Sequence, residues 1–289
     1  MPITVPEALE DQERVGAAKA GATASPARYL ASSALAGAYV GIGVVLVAST
    51  AGPLAAAGSP MTTLVAGCVF GIALTLVVFA GSELFTGNAM VLLQSTAAGR
   101  TSLGAVGRVW GLSLVGNLVG SVGFAALVHA GGTLHAGKGA AGTYLATVVG
   151  NKSAATGGQL FFRAVLCNML VCLALWMAAR ATSDAAKLVV IWWALLAFIA
   201  SGFEHSIANM TIFSLAALAG DASWADLFRN LVWTVPGNVV GGGLLVGLGY
   251  AWIARPSVRT TPTAAGPTTA PAPPVATVVP DAGAATTAA

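Results

Sequence analysis

The sequence predicts an all-α polytopic membrane protein with six transmembrane helices in two inverted three-helix repeats. Its composition is the first reason, because 56% of the 289 residues are hydrophobic and only 8% are charged, whereas soluble domains are roughly one quarter charged. The second reason is that no Asp, Glu, Lys or Arg occurs from Tyr29 to Ser82, a stretch longer than the ~20 apolar residues that cross one bilayer. The third is an internal repeat of constant spacing.

The transmembrane domain is expected to cover residues 29–254, with different segments on either side of it. Residues 1–28 suit a short amphipathic helix on the membrane surface, and would equally suit a mobile cap. Their charged residues include Glu7, Glu10, Asp11, Glu13, Arg14 and Lys19. Residues 255–289 are rich in Pro, Thr, Ala and Val, which predicts a disordered cytoplasmic tail because this composition buries too little apolar surface.

Six apolar segments are expected to span the bilayer. They lie at about 29–57, 62–97, 103–130, 159–180, 187–217 and 223–254. The first is too long for a secretory signal and is interpreted as a retained helix. The second and fifth carry polar residues and glycines at their centres, around Glu83 and Glu204. Because a Glu at bilayer depth is costly unless it is paired or faces a cavity, these two segments are predicted to be broken helices.

The repeat relates the two halves of the chain by one shift, since 202 − 81, 204 − 83 and 209 − 88 all equal 121. This shift superposes Gly81, Glu83 and Asn88 on Gly202, Glu204 and Asn209. It also superposes Arg108, Gly116, Asn117 and Gly120 on Arg229, Gly237, Asn238 and Gly241. A unit of three spans ends on the side opposite to its start, so two such units in tandem are inverted. The sequence therefore predicts a pseudo-two-fold axis in the membrane plane.

The distribution of Lys and Arg predicts that both termini are cytoplasmic. That placement puts nine basic residues inside, namely Arg14, Lys19, Arg28, Arg100, Arg108, Arg180, Lys187, Arg255 and Arg259. It leaves four outside, namely Lys138, Lys152, Arg163 and Arg229. The net charge of +3 is spread over the loops, so it forms no basic stripe for nucleic acid.

Broken helices predict a site for an anion in the middle of the membrane. The second half of each broken helix begins inside the protein, near Gly87 and near Ile207, with free backbone N–H groups and a partial positive charge. Inversion of the repeats lets both positive ends approach one site from opposite sides. No fixed cation is needed in the path.

His205 is the candidate of greatest interest, because it is a histidine within a predicted span and lies beside a break. Its ordinary pKa of ~6.5 suits proton exchange with a weak acid, although a buried histidine bonded to a backbone carbonyl is the alternative. Glu83 and Glu204 are expected to be structural, accepting hydrogen bonds from the freed N–H groups. A catalytic role is the other possibility for them.

Lys152 and Asn168 are less specific candidates. Lys152 lies in a predicted outer loop, where a lysine is ordinarily solvated, but it would concentrate anions if it faced a vestibule. Asn168 would offer an amide to a permeating anion, or bond to a neighbouring helix.

The sequence gives no pattern for a cofactor, a metal site or an enzyme. Glu204 and His205 lack the spacing of a zinc hydrolase. Cys68, Cys167 and Cys172 are odd in number and lie in apolar stretches, where free thiols pack as small hydrophobes.

At these residues the sequence resembles the formate/nitrite transporter family. The resemblance rests on Gly-Ser-Glu-Leu-Phe-Thr-Gly at 81–87, Asn-Met-Leu-Val-Cys-Leu-Ala at 168–174, Ser-Gly-Phe-Glu-His-Ser-Ile-Ala-Asn-Met at 201–210 and Gly-Asn-Val-Val-Gly-Gly-Gly at 237–243. It implies a homopentamer in the bacterial inner membrane, with an aquaporin-like pore in each protomer.

The resemblance also implies roles for individual residues. His205 resembles the central pore histidine, Lys152 an outer-vestibule lysine, and Thr86 the hydroxyl residue of a mobile gating loop. By position, Phe70, Leu74 and Phe198 look like a cytoplasmic constriction, and Phe85 and Val171 like a periplasmic one. Ordinary core packing is the alternative for these five side chains.

The implied function is transport of a small monovalent anion or its conjugate acid. The 81–87 segment looks more like the nitrite branch than the formate branch, so nitrite is expected first and formate next, with hydrosulfide a further candidate. Burial raises the proton affinity of an anion, so protonation near His205 would produce a neutral acid able to pass apolar rings. Conduction of the bare anion is the competing mechanism, and a membrane-embedded metal-dependent enzyme is the alternative of a different class.

Overall fold

The computed structural model describes residues 1–135 and 137–254, and within them the regular structure is helical. The helices are α1 (Val5–Ala22), α2 (Pro26–Ala56), α3 (Thr62–Phe79), α4 (Phe85–Ala97), α5 (Leu103–Ala130), α6 (Ala140–Ala154), α7 (Gly157–Arg180), α8 (Asp184–Ala200), α9 (Ser206–Ala219), α10 (Trp224–Asn238) and α11 (Gly249–Ile253). Short 3₁₀ turns at Thr133–His135 and Gly137–Gly139 precede α6. A π-helical segment, Val239–Leu248, joins α10 to α11.

Five helical stretches in the described part of the chain are long and apolar enough to cross a membrane. They are Pro26–Ala56, Thr62–Phe79, Leu103–Ala130, Gly157–Arg180 and Trp224–Ile253. Ser206–Ala219 is a shorter apolar helix. The fold is therefore an all-helical one with several apolar helices, as the composition predicts.

Both predicted breaks are present. Helix α3 ends at Phe79 and α4 begins at Phe85, whereas α8 ends at Ala200 and α9 begins at Ser206. At each break the chain turns at a glycine with positive φ, which is 75° at Gly81 and 67° at Gly202. Glycine adopts this conformation without steric cost.

Two segments differ from, or extend, the sequence-based expectations. The predicted outer loop before the fourth span contains α6, and Lys152 lies in the last turn of this helix; the glycine-rich sequence around it hides its periodicity. Residues 1–28 contain α1 and contact the rest of the protein, since Arg180 Nε donates to Ile3 O at 3.0 Å and Arg100 pairs with Glu13 at 3.3 Å. The predicted tail at 255–289 lies outside the described residues.

Glycines allow two pairs of long helices to pack closely. A Cβ on Gly120 of α5 would meet the backbone of Ala34 in α2, and one on Gly241 would meet the backbone of Val165 in α7. Small residues at such contacts let apolar helices approach in a membrane. The repeated glycines of the sequence thus stand at equivalent helix contacts.

Candidate permeation pathway

Each break is held by one buried asparagine. Asn117 Oδ1 accepts from Phe85 N at 3.0 Å, and its Nδ2 donates to Ser33 O at 2.7 Å and Glu83 O at 2.9 Å. Asn238 Oδ1 accepts from Ser206 N at 2.9 Å, and its Nδ2 donates to Ala164 O at 2.8 Å and Glu204 O at 3.1 Å. The two amides make matching sets of bonds and satisfy backbone groups that the missing helical turns leave free.

The carboxylates of Glu83 and Glu204 do not accept these freed N–H groups, so the expectation about them is wrong in that respect. Glu83 Oε2 instead bonds to Lys19 Nζ at 2.6 Å, Tyr29 OH at 2.9 Å and Asn88 Nδ2 at 3.2 Å. The reason is geometric, because Asn117 already occupies the free N–H of the α4 start.

Glu204 is bound in the same way on the other side of the bundle. Its Oε2 bonds to Lys152 Nζ at 2.7 Å and to Asn209 Nδ2 at 2.7 Å. Asn209 Nδ2 also donates to Asn230 Oδ1 at 2.8 Å. A lysine–glutamate pair therefore stands at each break. The side of the Lys19–Glu83 pair is the Lys19 end, and the side of the Lys152–Glu204 pair is the Lys152 end.

His205 caps α9 and contacts Thr86 of α4. Its Nδ1 accepts from Ala208 N at 3.1 Å, and its Nε2 lies 3.2 Å from Thr86 Oγ1. Since a backbone N–H can only donate, Nδ1 carries the lone pair, so the neutral imidazole holds its proton on Nε2. The ring also stacks on Phe198, with centroids 6.0 Å apart. His205 therefore presents an N–H donor toward Thr86.

His205 closes a small central cavity of about 10 Å³. The cavity is lined by Val40, Phe70, Ala73, Leu74, Leu84, Val171, Leu195, Phe198 and His205. This volume is at the lower limit for one water molecule, so the centre is closed to an anion. Among the lining residues, His205 is the one polar side chain.

The lining of this cavity follows the internal repeat. Leu74 and Leu195 differ by 121 positions, as do Leu84 and His205, and Val40 and Val171 differ by 131. The offset of 131 also relates Ser32 O and Ser33 O to Arg163 O and Ala164 O, which accept equivalent bonds from the two breaks. His205 is thus the polar counterpart of Leu84.

A larger cavity of about 290 Å³ opens at the Lys152 end. Its lining includes Lys152, Glu204, Arg163 and Phe70. Phe70 lines both cavities and packs edge-to-face on Phe198, with centroids 5.6 Å apart. Phe70 therefore borders both the central cavity and the cavity at the Lys152 end, while Phe198 lines the central cavity. That these residues form a cytoplasmic constriction stays a prediction.

The remaining predicted residues occupy two different surroundings. Leu74 and Val171 line the central cavity, whereas Phe85 is not among its lining residues and packs edge-to-face on Trp110 at 6.3 Å. Asn168 Nδ2 donates to Thr86 O at 3.0 Å and Asn238 O at 2.7 Å, which is the helix-to-helix alternative. Gly87 and Asn88 are buried in the first turn of α4.

Sequence reasoning missed four residues of this arrangement, Lys19, Tyr29, Leu84 and Asn230. A repeat search in which α1 is aligned with α6 would have found Lys19, because both helices carry a lysine in the last turn. Leu84 was available from the shift of 121. Tyr29 and Asn230 have no repeated counterpart in the sequence. In the part of the chain that the structure describes, no three His, Cys, Asp or Glu side chains form a group able to hold a metal ion.

Comparison with known proteins decides the family. The family model described as formate/nitrite transporter matches residues 6–252. This chain belongs to the formate/nitrite transporter family. The resemblance carried by the four motifs is confirmed, and because members of the formate/nitrite transporter family are transporters and channels, the protein is not an enzyme.

Individual members of the formate/nitrite transporter family show how similar the chain is. The nitrite transporter NirC of Escherichia coli (strain K12) is 45% identical over 240 residues, covering 81% of this chain and 86% of that protein. The formate channel BtFdhC of Bacillus thuringiensis is 36% identical over 221 residues, covering 75% and 83%.

Solved structures of the family give the same result. A structure titled FNT family ion channel aligns with a TM-score of 0.79 at 42% identity, covering 86% of this chain and 99% of that one. A pentameric formate channel with formate bound aligns with a TM-score of 0.72 at 30% identity, covering 80% and 98%.

Proposed function

We propose that the protein carries a small monovalent anion or its conjugate acid across the bacterial inner membrane, with nitrite as the first substrate and formate the next. The relative at 45% identity is a nitrite transporter, and another at 36% is a formate channel. Hydrosulfide is a further candidate because it is also small, singly charged and weakly acidic when protonated.

The observation that carries this proposal is the position of His205. His205 lines a central cavity whose other lining side chains are apolar. Its Nε2 lies 3.2 Å from Thr86 Oγ1. A lysine–glutamate pair stands at each break beyond that cavity. One hydrogen-bond donor in an otherwise apolar passage suits a small oxygen-bearing solute that crosses in neutral form.

The mechanism follows from the change in dielectric. The positive helix starts attract the anion, and burial then raises its proton affinity because low dielectric disfavours charge. The protonated, neutral acid passes Phe70 and Phe198, then His205, then Leu84 and Val171. His205 acts as a donor to the solute oxygen and takes part in proton transfer directly or by relay. Conduction of the bare anion remains the competing mechanism.

The proposed topology has six spans in two inverted repeats, an aquaporin-like protomer. The spans are α2, α3 with α4, α5, α7, α8 with α9, and α10 through α11. The matching bonds of Asn117 and Asn238 support this inversion, as do the paired lining residues of the central cavity. Both termini are placed in the cytoplasm, so that residues 1–28 and 255–289 flank a lipid-embedded domain at 29–254, and the Lys152 end faces outward.

The proposed assembly is a homopentamer with one pore in each protomer. It is supported by the pentameric formate channel that covers 80% of this chain at 30% identity. Protons and membrane lipid are the other proposed partners.

Flux into proteoliposomes tests this function. Nitrite and formate uptake are measured at two pH values for the wild type and for His205→Asn. Asparagine is a good N-cap, so the variant keeps the bond to Ala208 N and loses the imidazole ring, with its donor toward Thr86 and its stacking on Phe198. We expect faster wild-type uptake at the lower pH, and about tenfold slower uptake in the variant, the effect of one lost hydrogen bond of ~1–1.5 kcal/mol. Unchanged rate and pH dependence in the variant would remove His205 from the mechanism.

A further inference from the structure

The cavity at the Lys152 end has an unbalanced positive charge. Three of its lining residues are charged, Lys152, Glu204 and Arg163. Lys152 and Glu204 neutralise each other, because Nζ and Oε2 are 2.7 Å apart. The guanidinium of Arg163 has no hydrogen-bond or ion-pair partner among the described residues. The charge that an arriving anion meets in this cavity is therefore that of Arg163.

Two further donors line the same cavity without a partner in the described part of the chain, the phenol of Tyr144 and the amide of Asn151. Burial raises the pKa of Tyr144, so its hydroxyl stays protonated and able to donate. The site thus offers a cation and two neutral donors over about 290 Å³, which is ample room for an anion of three or four atoms.

We propose that Arg163 is a specificity-determining residue, which recognises the substrate at the Lys152 end and favours planar anions with two oxygens. This inference rests on the proposed function. The guanidinium is a planar fork that donates two parallel N–H bonds to such an anion. Nitrite and formate each present two oxygens in one plane, whereas hydrosulfide presents one sulfur. The fork therefore raises the affinity for nitrite and formate over hydrosulfide at this cavity.

The position of Arg163 is fixed by the break itself. Its carbonyl accepts from Glu204 N at 3.3 Å, so the second turn of α7 is bound to the residue that pairs with Lys152. At the Lys19 end the equivalent bond runs from Glu83 N to Ser32 O at 3.4 Å. Serine stands where the other end has arginine, so this recognition belongs to one end of the path.

Uptake kinetics with two anions test the proposal. Wild type, Arg163→Gln, Arg163→Lys and Lys138→Gln are reconstituted in equal amounts as monodisperse protein, and the KM for nitrite and for hydrosulfide is measured. Lys138→Gln is the matched control, since it removes an exposed charge before α6 outside this cavity.

Arg163→Gln is expected to raise the nitrite KM about fivefold, the upper range for one solvent-accessible charge pair. The hydrosulfide KM is expected to rise only about twofold, because both anions lose the charge but nitrite alone also loses the second N–H bond. Arg163→Lys keeps the charge and loses the fork, so its nitrite KM is expected to rise as well, while Lys138→Gln matches the wild type. A wild-type Tm of each purified variant shows that it is folded.

The outcomes separate this inference from the function on which it rests. If wild-type vesicles take up nitrite faster than protein-free vesicles but both Arg163 variants change the two KM values equally or not at all, the inference is wrong and the function stands. If wild-type vesicles take up no nitrite, the proposed substrate itself is wrong, and the inference falls with it.

Discussion

At the scale of single residues, two asparagines stabilise the two breaks. Each uses both ends of its amide, with Oδ1 accepting from the first N–H of a half-helix and Nδ2 donating to two carbonyls. An aspartate has nearly the same shape but no N–H donors. It would leave the two carbonyls unpaired and place a negative charge beside them.

We therefore expect Asn238→Asp to lower the free energy of unfolding by about 2–4 kcal/mol, since each unsatisfied buried group costs ~1–3 kcal/mol. Asn117→Asp is expected to have a similar effect, because its bonds match. Thermal unfolding of the purified protein in detergent checks this, with the exposed Asn151→Asp as control. A Tm within about one degree of wild type for Asn238→Asp would show that the amide is not what holds the break.

At the scale of elements, the π-helical segment Val239–Leu248 has no counterpart in the other half of the chain. The equivalent residues, 118–127, belong to the regular helix α5. The π segment packs glycines against α4 and α7, and the amide of Asn168 there reaches both Thr86 O and Asn238 O. The wider turn of the π helix and the missing side chains of its glycines leave room for the Asn168 amide to bond to Thr86 O and Asn238 O. Thr86 is also the residue that contacts His205.

Gly242→Ala tests this contact. A Cβ at Gly242 would overlap the side chains of Asn168 and Cys172, and overpacking of this kind costs typically 1–3 kcal/mol. We expect a lower Tm and slower nitrite uptake, because the bridge to Thr86 is displaced.

The matched control is Gly249→Ala, where a Cβ meets nothing within 4 Å. It is expected to keep the wild-type Tm and uptake. An equal Tm and equal uptake in the two variants would mean that the π segment tolerates a side chain at Gly242 and that close packing does not require glycine there.

At the scale of the whole molecule, α1 supplies the lysine that pairs with Glu83 at one break, and α6 supplies the lysine that pairs with Glu204 at the other. The Lys19–Glu83 pair is partly buried, with side chains 22% and 19% exposed, whereas the Arg14–Glu10 pair on the same helix is 56% exposed on both sides. A partly buried carboxylate that loses its cation is costly, and an exposed ion pair contributes little.

Lys19→Met is accordingly expected to lower the free energy of unfolding by about 1–2 kcal/mol and to slow anion uptake. Arg14→Gln is expected to change it by less than about 0.5 kcal/mol. Chemical unfolding followed by tryptophan fluorescence compares the two. If Arg14→Gln lowered the free energy of unfolding as much as Lys19→Met, the overall charge of α1 and not the Lys19–Glu83 pair would account for the stabilisation.

The sequence alone predicted the helical class, both breaks and the repeat, because charge-free runs and a constant shift are visible without coordinates. It missed the pairing of Glu83 and Glu204 with lysines, since Lys19 and Lys152 lie 64 and 52 positions away from them. Lys19 lies on a helix expected on the membrane surface, and Lys152 lies on a helix where the sequence predicts a loop. The sequence does not show that Phe70 lines two cavities, because the depth of a side chain depends on the tertiary packing of α3. Leu84 is an ordinary aliphatic residue, so in the sequence only the shift of 121 relates it to His205.

The closed centre of about 10 Å³ has an energetic consequence for the cell. A solute that crosses it as a neutral molecule moves no net charge through the electric field, so the membrane voltage does no work on it. Its steady accumulation would follow the difference in acidity between the two compartments, about tenfold for each pH unit, and would leave the membrane potential undisturbed.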